Sequence, residues 1–190
     1  MQLDRAIIIV GPSAVGKTTI AKGLEKSGLP IIKVITTTTR QKRPNETEGV
    51  DYHFIDDKTF ENLIATDGLI EHAKYNEHYY GSRISDVEPI ITAGKIPLWV
   101  ADNQGAEYFK KHYPGTVTIF IMPADFEILR RRLEKRNLPK GEIISRLKIA
   151  EAELHNAPKA DYRVINYDGK IKFVIDEAAS IVRKHFNLPG

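Results

Sequence analysis

The sequence predicts an α/β protein whose core is a parallel sheet of about five strands flanked by helices. Short apolar runs rich in β-branched residues alternate with longer amphipathic stretches, which is the pattern of a doubly wound sheet. The first run, Arg5 to Val10, lacks polar alternation and therefore predicts a strand buried on both faces. A chain of 190 residues is the size of one domain with small insertions.

The elements are predicted in a regular order. Strands of the core are predicted at 5–10, 31–35, 96–101, 117–122 and 162–166. Helices are predicted at 18–26, 87–93, 104–112, 126–136, 143–156 and 171–186. Gly28 just past the first helix and the turn at Pro114-Gly115 mark boundaries between elements. Trp99 lies in an apolar strand and is expected in the core.

The segment from Thr36 to Tyr80 breaks this alternation. It is polar and rich in Thr, Glu and Asn, and its candidate strands are short. Tyrosine or phenylalanine occupies positions 52, 54, 60, 75, 79 and 80. We therefore expect a small mixed insertion at 36–84 that recognises a ligand, set into a core made of 1–35 and 85–190.

Composition and charge exclude several classes of protein. With 28 Lys and Arg against 25 Asp and Glu, the net charge of +3 gives no footprint of a dedicated nucleic-acid binder. The absence of cysteine excludes a disulfide framework, a thiolate zinc site and a cysteine nucleophile. No apolar run approaches the ~18 residues of a membrane span, and no cleavage site follows the first apolar run. We expect a cytoplasmic protein that binds neither nucleic acid nor membrane, and the sequence leaves open whether it is a monomer or a homodimer.

Residues Gly11 to Thr18 fit the phosphate-loop pattern G-x-x-x-x-G-K-[ST]. Glycines let backbone N–H groups turn toward a polyphosphate, and the helix that follows presents its positive end. Lys17 is expected to reach the outer phosphates, and the Thr18 hydroxyl to ligate Mg²⁺. The predicted donor-binding residues of the loop are Gly11, Ser13, Ala14, Val15, Gly16, Lys17, Thr18 and Thr19.

Further motifs resemble the guanylate kinase family. Residues 38–54 match T-T-R-x-x-R-x-x-E-x-x-G-x-D-Y-x-F, and 69–73 and 79–82 match the segments I-E-x-A and Y-Y-G-[ST]. The D-x-Q-G ending of a strand, an arginine-bearing lid and a V-x-N segment correspond to 102–105, 133–147 and 164–166. The resemblance spans the whole chain. It implies a P-loop kinase fold that transfers the terminal phosphoryl group of ATP to GMP, and to dGMP, with Mg²⁺ as cofactor.

The acceptor site implied by this resemblance fits the chemistry of GMP. A carboxylate such as Glu71 can accept two hydrogen bonds from the N1–H and N2–H₂ groups of guanine, and Ser82 can donate to O6. Arginine forks and tyrosine hydroxyls suit the phosphate oxygens. The implied GMP-binding residues are Thr36, Arg40, Arg43, Glu46, Tyr52, Glu71, Tyr80, Gly81, Ser82 and Asp102.

The acceptor is already an ionised phosphate, so catalysis needs positioning and neutralisation of charge rather than a strong base. The resemblance implies that Lys17, Arg43, Arg136 and Arg146 are catalytic. It also implies that Asn166 contacts ATP and that Asp102 assists Thr18 at the metal through a water. The lid at 134–146 and the insertion at 36–84 are expected to close and exclude water. The run from Arg130 to Arg132 is interpreted as a solvated helix face.

The sequence departs from the family pattern at three places. Ala14 stands where the family usually has glycine, and Val100 replaces the first aspartate of its L-D-x-D strand ending. The lid between Arg136 and Arg146 is slightly short. Two other interpretations remain: a related P-loop kinase with another phosphorylated acceptor such as a ribose phosphate, and a non-catalytic guanylate-kinase-like binding module.

Overall fold

The computed structural model of the chain describes residues 3–44, 46–75, 77–136, 138–155 and 157–189. The strands are β1 (Ala6–Val10), β2 (Ile31–Lys33), β3 (Thr37–Thr38), β4 (His53–Phe54), β5 (Leu69–Tyr75), β6 (His78–Arg83), β7 (Ile96–Val100), β8 (Thr116–Pro123) and β9 (Tyr162–Asn166). The helices are α1 (Lys17–Glu25), α2 (Asp57–Ala65), α3 (Ile84–Thr92), α4 (Asn103–His112), α5 (Phe126–Glu134), α6 (Lys140–Leu154) and α7 (Ile171–His185), with a 3₁₀ turn at Ala157–Lys159. Among the described residues, no helix has the length and apolar character needed to cross a membrane.

The central sheet has five strands in the order β2-β7-β1-β8-β9, which confirms the predicted α/β core. β1 pairs in parallel with β7 and β8, and β8 pairs in parallel with β9. All residues of β1 are buried, as its uniformly apolar sequence predicts. Because the carboxyl ends of parallel strands meet at one edge of a sheet, the segments after Val10 and Val100 leave the sheet at the same edge.

The chain forms two compact units. Among the described residues, the larger unit consists of 3–31 together with 98–189, and the smaller unit is Ile32–Pro97. The predicted insertion at 36–84 lies within the smaller unit, which also contains α3. That this insertion and the lid at 134–146 close during the reaction stays a prediction.

The smaller unit is built on a mixed sheet of four strands in the order β4-β3-β6-β5. β3 is parallel to β4 and antiparallel to β6, and β5 and β6 form an antiparallel hairpin. The expectation of short strands is wrong for β5 and β6, which have seven and six residues. Within this sheet β6 is hydrogen-bonded on both sides, to β3 and to β5.

Helix α2 is a feature of the smaller unit that the sequence analysis did not predict. Asp56 caps the helix by accepting a hydrogen bond from the Thr59 N–H at 2.6 Å. Phe60 is completely buried and stacks on Tyr79, with ring centroids 5.1 Å apart. Two of the aromatic residues in this segment therefore pack against each other inside the unit.

In the larger unit, the core includes the aromatic residue that the sequence placed there. Trp99 is 2% exposed and packs on Phe109, with ring centroids 4.7 Å apart. Near the other end of the sheet, Asp161 accepts hydrogen bonds from both the N–H and the hydroxyl of Thr118, each at 2.8 Å. Asp161 also accepts from the Lys110 ammonium at 2.6 Å, so one carboxylate joins α4, β8 and the start of β9.

Asp161→Asn is predicted to lower the free energy of unfolding by about 1–3 kcal/mol at neutral pH, since it weakens charge-assisted hydrogen bonds. Burial alone would raise the pKa of Asp161, but the Lys110 and Thr118 hydrogen bonds hold it below its ordinary value of 3.8. A carboxyl with a depressed pKa stabilises the fold above its unfolded-state pKa and loses that effect as the pH falls through the folded-state value. The difference between wild type and variant should therefore shrink below about pH 4.

Urea unfolding at a series of pH values from neutral to acidic measures this difference. Asp176→Asn is the matched control, because Asp176 pairs with Lys172 on the exposed surface of α7. We expect it to change stability little at any pH. Equal effects of the two substitutions would contradict a joining role for Asp161.

Candidate active site

The phosphate loop lies between β1 and α1, where the motif predicts it. Gly11 and Gly16 both have positive φ, 137° and 105°, which glycine adopts without steric cost. A Cβ at position 11 would overlap the Ile121 carbonyl oxygen, and one at position 16 would lie 2.8 Å from the Asn166 amide nitrogen. No side chain caps α1 at Gly16, so the first N–H groups of the helix are available to an anion.

Lys17 begins α1 and folds back along the loop. Its ammonium donates to the carbonyl oxygens of Gly11 at 2.5 Å and Pro12 at 3.1 Å. Burial lowers the pKa of Lys17 to about 8, a shift that the nearby carboxylates of Glu153 and Asp102 partly offset. The charge of Arg136 lowers the pKa further, so these four side chains form one electrostatic group.

Asn166, a predicted ATP contact, lies behind the loop. It is 1% exposed, and its amide donates to the Val15 carbonyl at 2.7 Å. Its side-chain oxygen is buried and has no hydrogen-bond partner in the described structure. The contact that this structure gives Asn166 is therefore with the backbone of the loop.

One predicted lid arginine, Arg146, contacts the loop directly, and the other, Arg136, acts on Lys17 through its charge. The Arg146 guanidinium donates to the Ser13 hydroxyl at 3.3 Å, while Glu142 holds it at 2.7 and 2.9 Å. Arg136 is exposed, and its charge acts on Lys17. The lid segment 134–146 joins the end of α5 to the start of α6, with Pro139 at the N-cap; its residue Asn137 lies outside the described residues.

The candidate metal site of the larger unit has few protein ligands. Thr18 and Thr19 are exposed in the first turn of α1. Asp102 caps α4 by accepting a hydrogen bond from the Gly105 N–H at 2.8 Å, and it lies within electrostatic reach of Lys17. The described residues contain no group of three or more His, Asp or Glu side chains that would bind a metal by themselves. Mg²⁺ typically takes one or two protein oxygens and keeps water and phosphate as its other ligands, which fits this arrangement.

In the smaller unit, Arg40 is the centre of a charged and aromatic cluster. Its guanidinium forms a two-pronged ion pair with Glu46, at 2.8 and 2.9 Å, and both side chains are largely buried. The same guanidinium lies 5.4 Å from the centroid of the Tyr52 ring. Tyr52 packs edge-on against Tyr80, with ring centroids 6.2 Å apart. The structure thus brings together four of the predicted GMP-binding residues.

Two side chains of this cluster have shifted pKa values that fix their protonation states. Burial alone would raise the pKa of Glu46, but Arg40 and the backbone N–H of Arg43 lower it, so Glu46 stays ionised. Burial raises the pKa of Tyr52, which keeps its hydroxyl protonated and able to donate. Arg43 is exposed, and its backbone is hydrogen-bonded to Glu46. Its N–H donates to the Glu46 carboxylate at 2.9 Å, and its carbonyl accepts from the Glu46 N–H at 3.0 Å.

The threonine run anchors this cluster to β6. The Thr38 hydroxyl donates to the Tyr79 carbonyl at 2.9 Å and accepts from the Arg40 N–H at 3.2 Å. The Thr39 hydroxyl accepts from the Tyr79 N–H at 3.1 Å. Thr36, the predicted ligand of the run, is half-exposed, and its carbonyl accepts from the His53 N–H.

A second polar pair lies on the hairpin. Glu71 is directly opposite Ser82, whose hydroxyl donates to the Glu71 carboxylate at 2.7 Å. Tyr80 and Ser82 are two residues apart on β6 and therefore share one face of the sheet. Gly81 between them faces the other way, and a Cβ there would lie 2.9 Å from the Phe60 ring. Gly81 thus lets α2 pack beneath the face that carries the polar pair.

Comparison with known proteins agrees with these features. The family model described as guanylate kinase matches residues 3–184. The chain belongs to the guanylate kinase family. It is 42% identical to a guanylate kinase of Thermus thermophilus, over 85% of this chain and 74% of that protein. It is 35% identical to that of Thermosynechococcus vestitus, over 94% of each. The crystal structure of guanylate kinase from Anaplasma phagocytophilum matches with a TM-score of 0.75 and 31% identity, over 97% of this chain and 87% of that one.

Arg132 of this guanylate kinase family member contacts the phosphate loop, although the sequence placed it on a solvated helix face. Its guanidinium donates to the carbonyls of Ala14 at 3.3 Å and Val15 at 3.2 Å, and to Asp168 at 2.9 Å. The solvated-face interpretation is therefore wrong for Arg132, although Arg130 and Arg131 are exposed. At 100° per residue, Arg132 falls between the buried residues Ile128 and Leu129, and that position was the available signal.

Glu153 was missed altogether. It lies two turns after Arg146 on α6, so both side chains project from the same stripe of the helix. Its backbone carbonyl accepts from the Asn103 side chain at 3.4 Å, and burial raises the pKa of its carboxyl. No motif quoted for the guanylate kinase family includes it. Only its interaction with Lys17 makes it part of the site.

Ala14, where the family usually has glycine, has a φ of 65°. A left-handed backbone costs a residue with a Cβ roughly 1–2 kcal/mol in the folded state. Glycine removes this cost, but it also raises the entropy of the unfolded chain, which offsets part of the gain in stability. Ala14→Gly is therefore predicted to raise the free energy of unfolding by about 0.5–1 kcal/mol. Denaturant unfolding of the nucleotide-free protein measures it.

The matched control is Ala21→Gly, at a buried position in the middle of α1. Glycine costs a helix interior about 1 kcal/mol relative to alanine, so this variant should lose stability. The two substitutions are the same in chemistry and opposite in expected sign. A loss of stability for both would show that the left-handed backbone at Ala14 stores no strain.

Proposed function

We propose that this chain transfers the terminal phosphoryl group of ATP to GMP, forming ADP and GDP with Mg²⁺. The observation that carries the proposal is the Glu71–Ser82 pair on the same sheet face as Tyr80, in the unit that also holds the Arg40 cluster. These groups match the two ends of GMP, a guanine edge and a phosphate. The compartment proposed is the cytoplasm, where both nucleotides are available.

The hairpin pair explains the choice of base. In the proposed complex the Glu71 carboxylate accepts from the N1–H and N2–H₂ groups of guanine. The Ser82 hydroxyl, which donates to Glu71 at 2.7 Å in this structure, turns to donate to O6 once guanine supplies hydrogen bonds to the carboxylate. Adenine lacks this pair of donors, so it would leave the carboxylate without hydrogen bonds at a cost of about 1–3 kcal/mol. A ribose phosphate acceptor would make no use of the pair, and the comparisons do not favour that alternative or the non-catalytic module.

The Arg40 cluster binds the acceptor phosphate in this proposal. Burial raises the pKa of Tyr52, so its hydroxyl stays protonated and donates to the phosphate. The Tyr80 hydroxyl is the second donor of the cluster in this proposal. Glu46 holds the Arg40 guanidinium in place before the phosphate arrives. Arg43, exposed beside them, supplies further positive charge.

The phosphate loop and the start of α1 bind ATP in the proposal. Backbone N–H groups and Lys17 hold the phosphates, and the Thr18 hydroxyl ligates Mg²⁺, with Asp102 reaching it through a water. A Mg²⁺ ion held by Thr18 would supply positive charge that offsets the negative charge of the phosphates. Lys17, Arg43, Arg136 and Arg146 neutralise the charge that spreads over the phosphoryl group during transfer. Closure of the segments 36–84 and 134–146 excludes water, which would otherwise hydrolyse ATP.

The first test is an ADP-release assay with ATP-Mg²⁺ and a panel of acceptors: GMP, dGMP, AMP, CMP, UMP and ribose 1,5-bisphosphate. We expect turnover with GMP and dGMP. Glu71→Gln should lower kcat/KM for GMP by about 10²-fold or more, because a site built to accept two hydrogen bonds loses one and faces a donor. Glu88→Gln, on the exposed side of α3, is the control and should leave the constants unchanged.

The outcomes of that assay separate the interpretations. Turnover with another acceptor and not with GMP would retain a kinase and contradict the guanine site. No turnover with any acceptor, in protein shown to be folded, would favour the binding module. Full activity of Glu71→Gln would show that the hairpin pair does not contact the base.

Arg136→Ala and Arg146→Ala are predicted to lower kcat by about 10³-fold or more while leaving the KM for GMP nearly unchanged. Both side chains act at the phosphate loop, and charge on the phosphoryl group spreads only in the transition state. Arg130→Ala is the control, since Arg130 is exposed on α5 and pairs with Glu127. Steady-state kinetics at saturating ATP-Mg²⁺ measure the split. A rise in KM for GMP without loss of kcat would show that neither arginine stabilises the transition state.

A further inference from the structure

A cavity lies in the larger unit, apart from the residues assigned to substrates. It has a volume of about 380 Å³ and lies between α4 and the segment 157–161, over β1 and β8. Its apolar lining includes Val10, Ala106, Phe120 and Ala160. This volume is within the range of small-molecule sites, about 300–1,000 Å³. We call it the α4 cavity.

The walls of the α4 cavity follow from regular secondary structure. The lining residues of α4 are spaced three and four apart, from Asn103 to Lys111, so they form one face of the helix. Thr118 and Phe120 are two apart on β8 and share one face of the sheet. The cavity is therefore a gap left between two elements that both cover the same sheet face.

Two ion pairs cross this gap from α4 to the segment 157–161. Lys110 binds Asp161, which Thr118 holds with two hydrogen bonds, so this pair is firmly anchored. Lys159 binds Glu107 at 3.1 Å, and both side chains are more than 60% exposed. An exposed pair of this kind contributes about 0–1 kcal/mol, so it opens at little cost.

The charge around the cavity favours an anion. Three lysines line it, Lys110, Lys111 and Lys159, against one lining carboxylate, Glu107. When Asp161 is also counted, one positive charge remains in excess. Lys111 forms no ion pair within the part of the chain that the structure describes.

We propose that the α4 cavity binds a small carboxylate with an apolar body. The apolar body fills the cavity, whose lining includes Ala106 and Ala160, and the carboxylate takes Lys159 from Glu107, with Lys111 close by. A single negative charge matches the single excess positive charge, which a polyphosphate would exceed. The occupant would contact Val10, next to the phosphate loop, and Asn103, next to Asp102. This site goes beyond the proposed phosphoryl transfer and does not depend on it.

Calorimetric titration with 2-naphthoate tests the proposal, with the neutral 2-naphthalenemethanol as the matched probe. The protein is first saturated with ADP and GMP. These nucleotides occupy the proposed substrate sites, and no phosphoryl group is transferred between them. We expect one naphthoate per chain, bound about 3–10-fold more tightly than the alcohol. Competition of naphthoate with ADP or GMP, equal affinities for the two probes, or no binding would each overturn the proposal.

Substitutions of opposite expected sign locate the site. Glu107→Gln frees Lys159 and should tighten naphthoate binding about 3–10-fold, whereas Lys159→Met should weaken it by a similar factor. Glu177→Gln and Lys172→Met, on the exposed surface of α7, are the controls and should change nothing. Ala160→Trp fills the cavity and should abolish binding of both probes. If Glu107→Gln and Lys159→Met change affinity in the same direction, the carboxylate does not contact Lys159.

Discussion

The backbone carbonyl groups of the phosphate loop impose the constraint on which the rest of the larger unit depends. A loop that turns its N–H groups toward an anion must direct its carbonyls elsewhere, and buried carbonyls need donors. Asn166 donates to the Val15 carbonyl, and Arg132 donates to those of Ala14 and Val15. Lys17 donates to the carbonyls of Gly11 and Pro12. The loop conformation is therefore stabilised from β9, from α5 and from its own lysine.

Three of the cations assigned to phosphate chemistry, Lys17, Arg40 and Arg146, share a second property, because each lies near a carboxylate of the protein itself. Glu46 holds Arg40, and Glu142 holds Arg146. Asp102 and Glu153 offset the desolvation that lowers the pKa of Lys17. Ordering long side chains in advance reduces the entropy that binding and catalysis would otherwise cost. The pairs also keep positive charge from being buried alone.

The hairpin of the smaller unit uses the two faces of one strand for two purposes. Tyr80 and Ser82 project from the face that carries the polar groups, while Tyr79 and Gly81 project toward α2. Phe60 stacks on Tyr79 and comes close to Gly81, so packing on one face holds the register on the other. A shift of one residue would move Ser82 away from Glu71 and place Gly81 among the ligand groups.

The sequence by itself determined the features that depend on neighbours along the chain. The apolar run of β1, the glycines of the phosphate loop and the periodicity of the core helices are local properties, and they predicted the sheet and the loop correctly. The resemblance added the Arg40 cluster and the Glu71–Ser82 pair, both of which the structure brings together. Only the tertiary structure decided that Arg132 contacts the loop, that Glu153 acts on Lys17 and that Phe60 belongs to a helix under the hairpin. Val15 lies 117 residues from Arg132 and 151 from Asn166. Interactions over such separations depend on how the sheet orders its strands, which no local pattern of residues encodes.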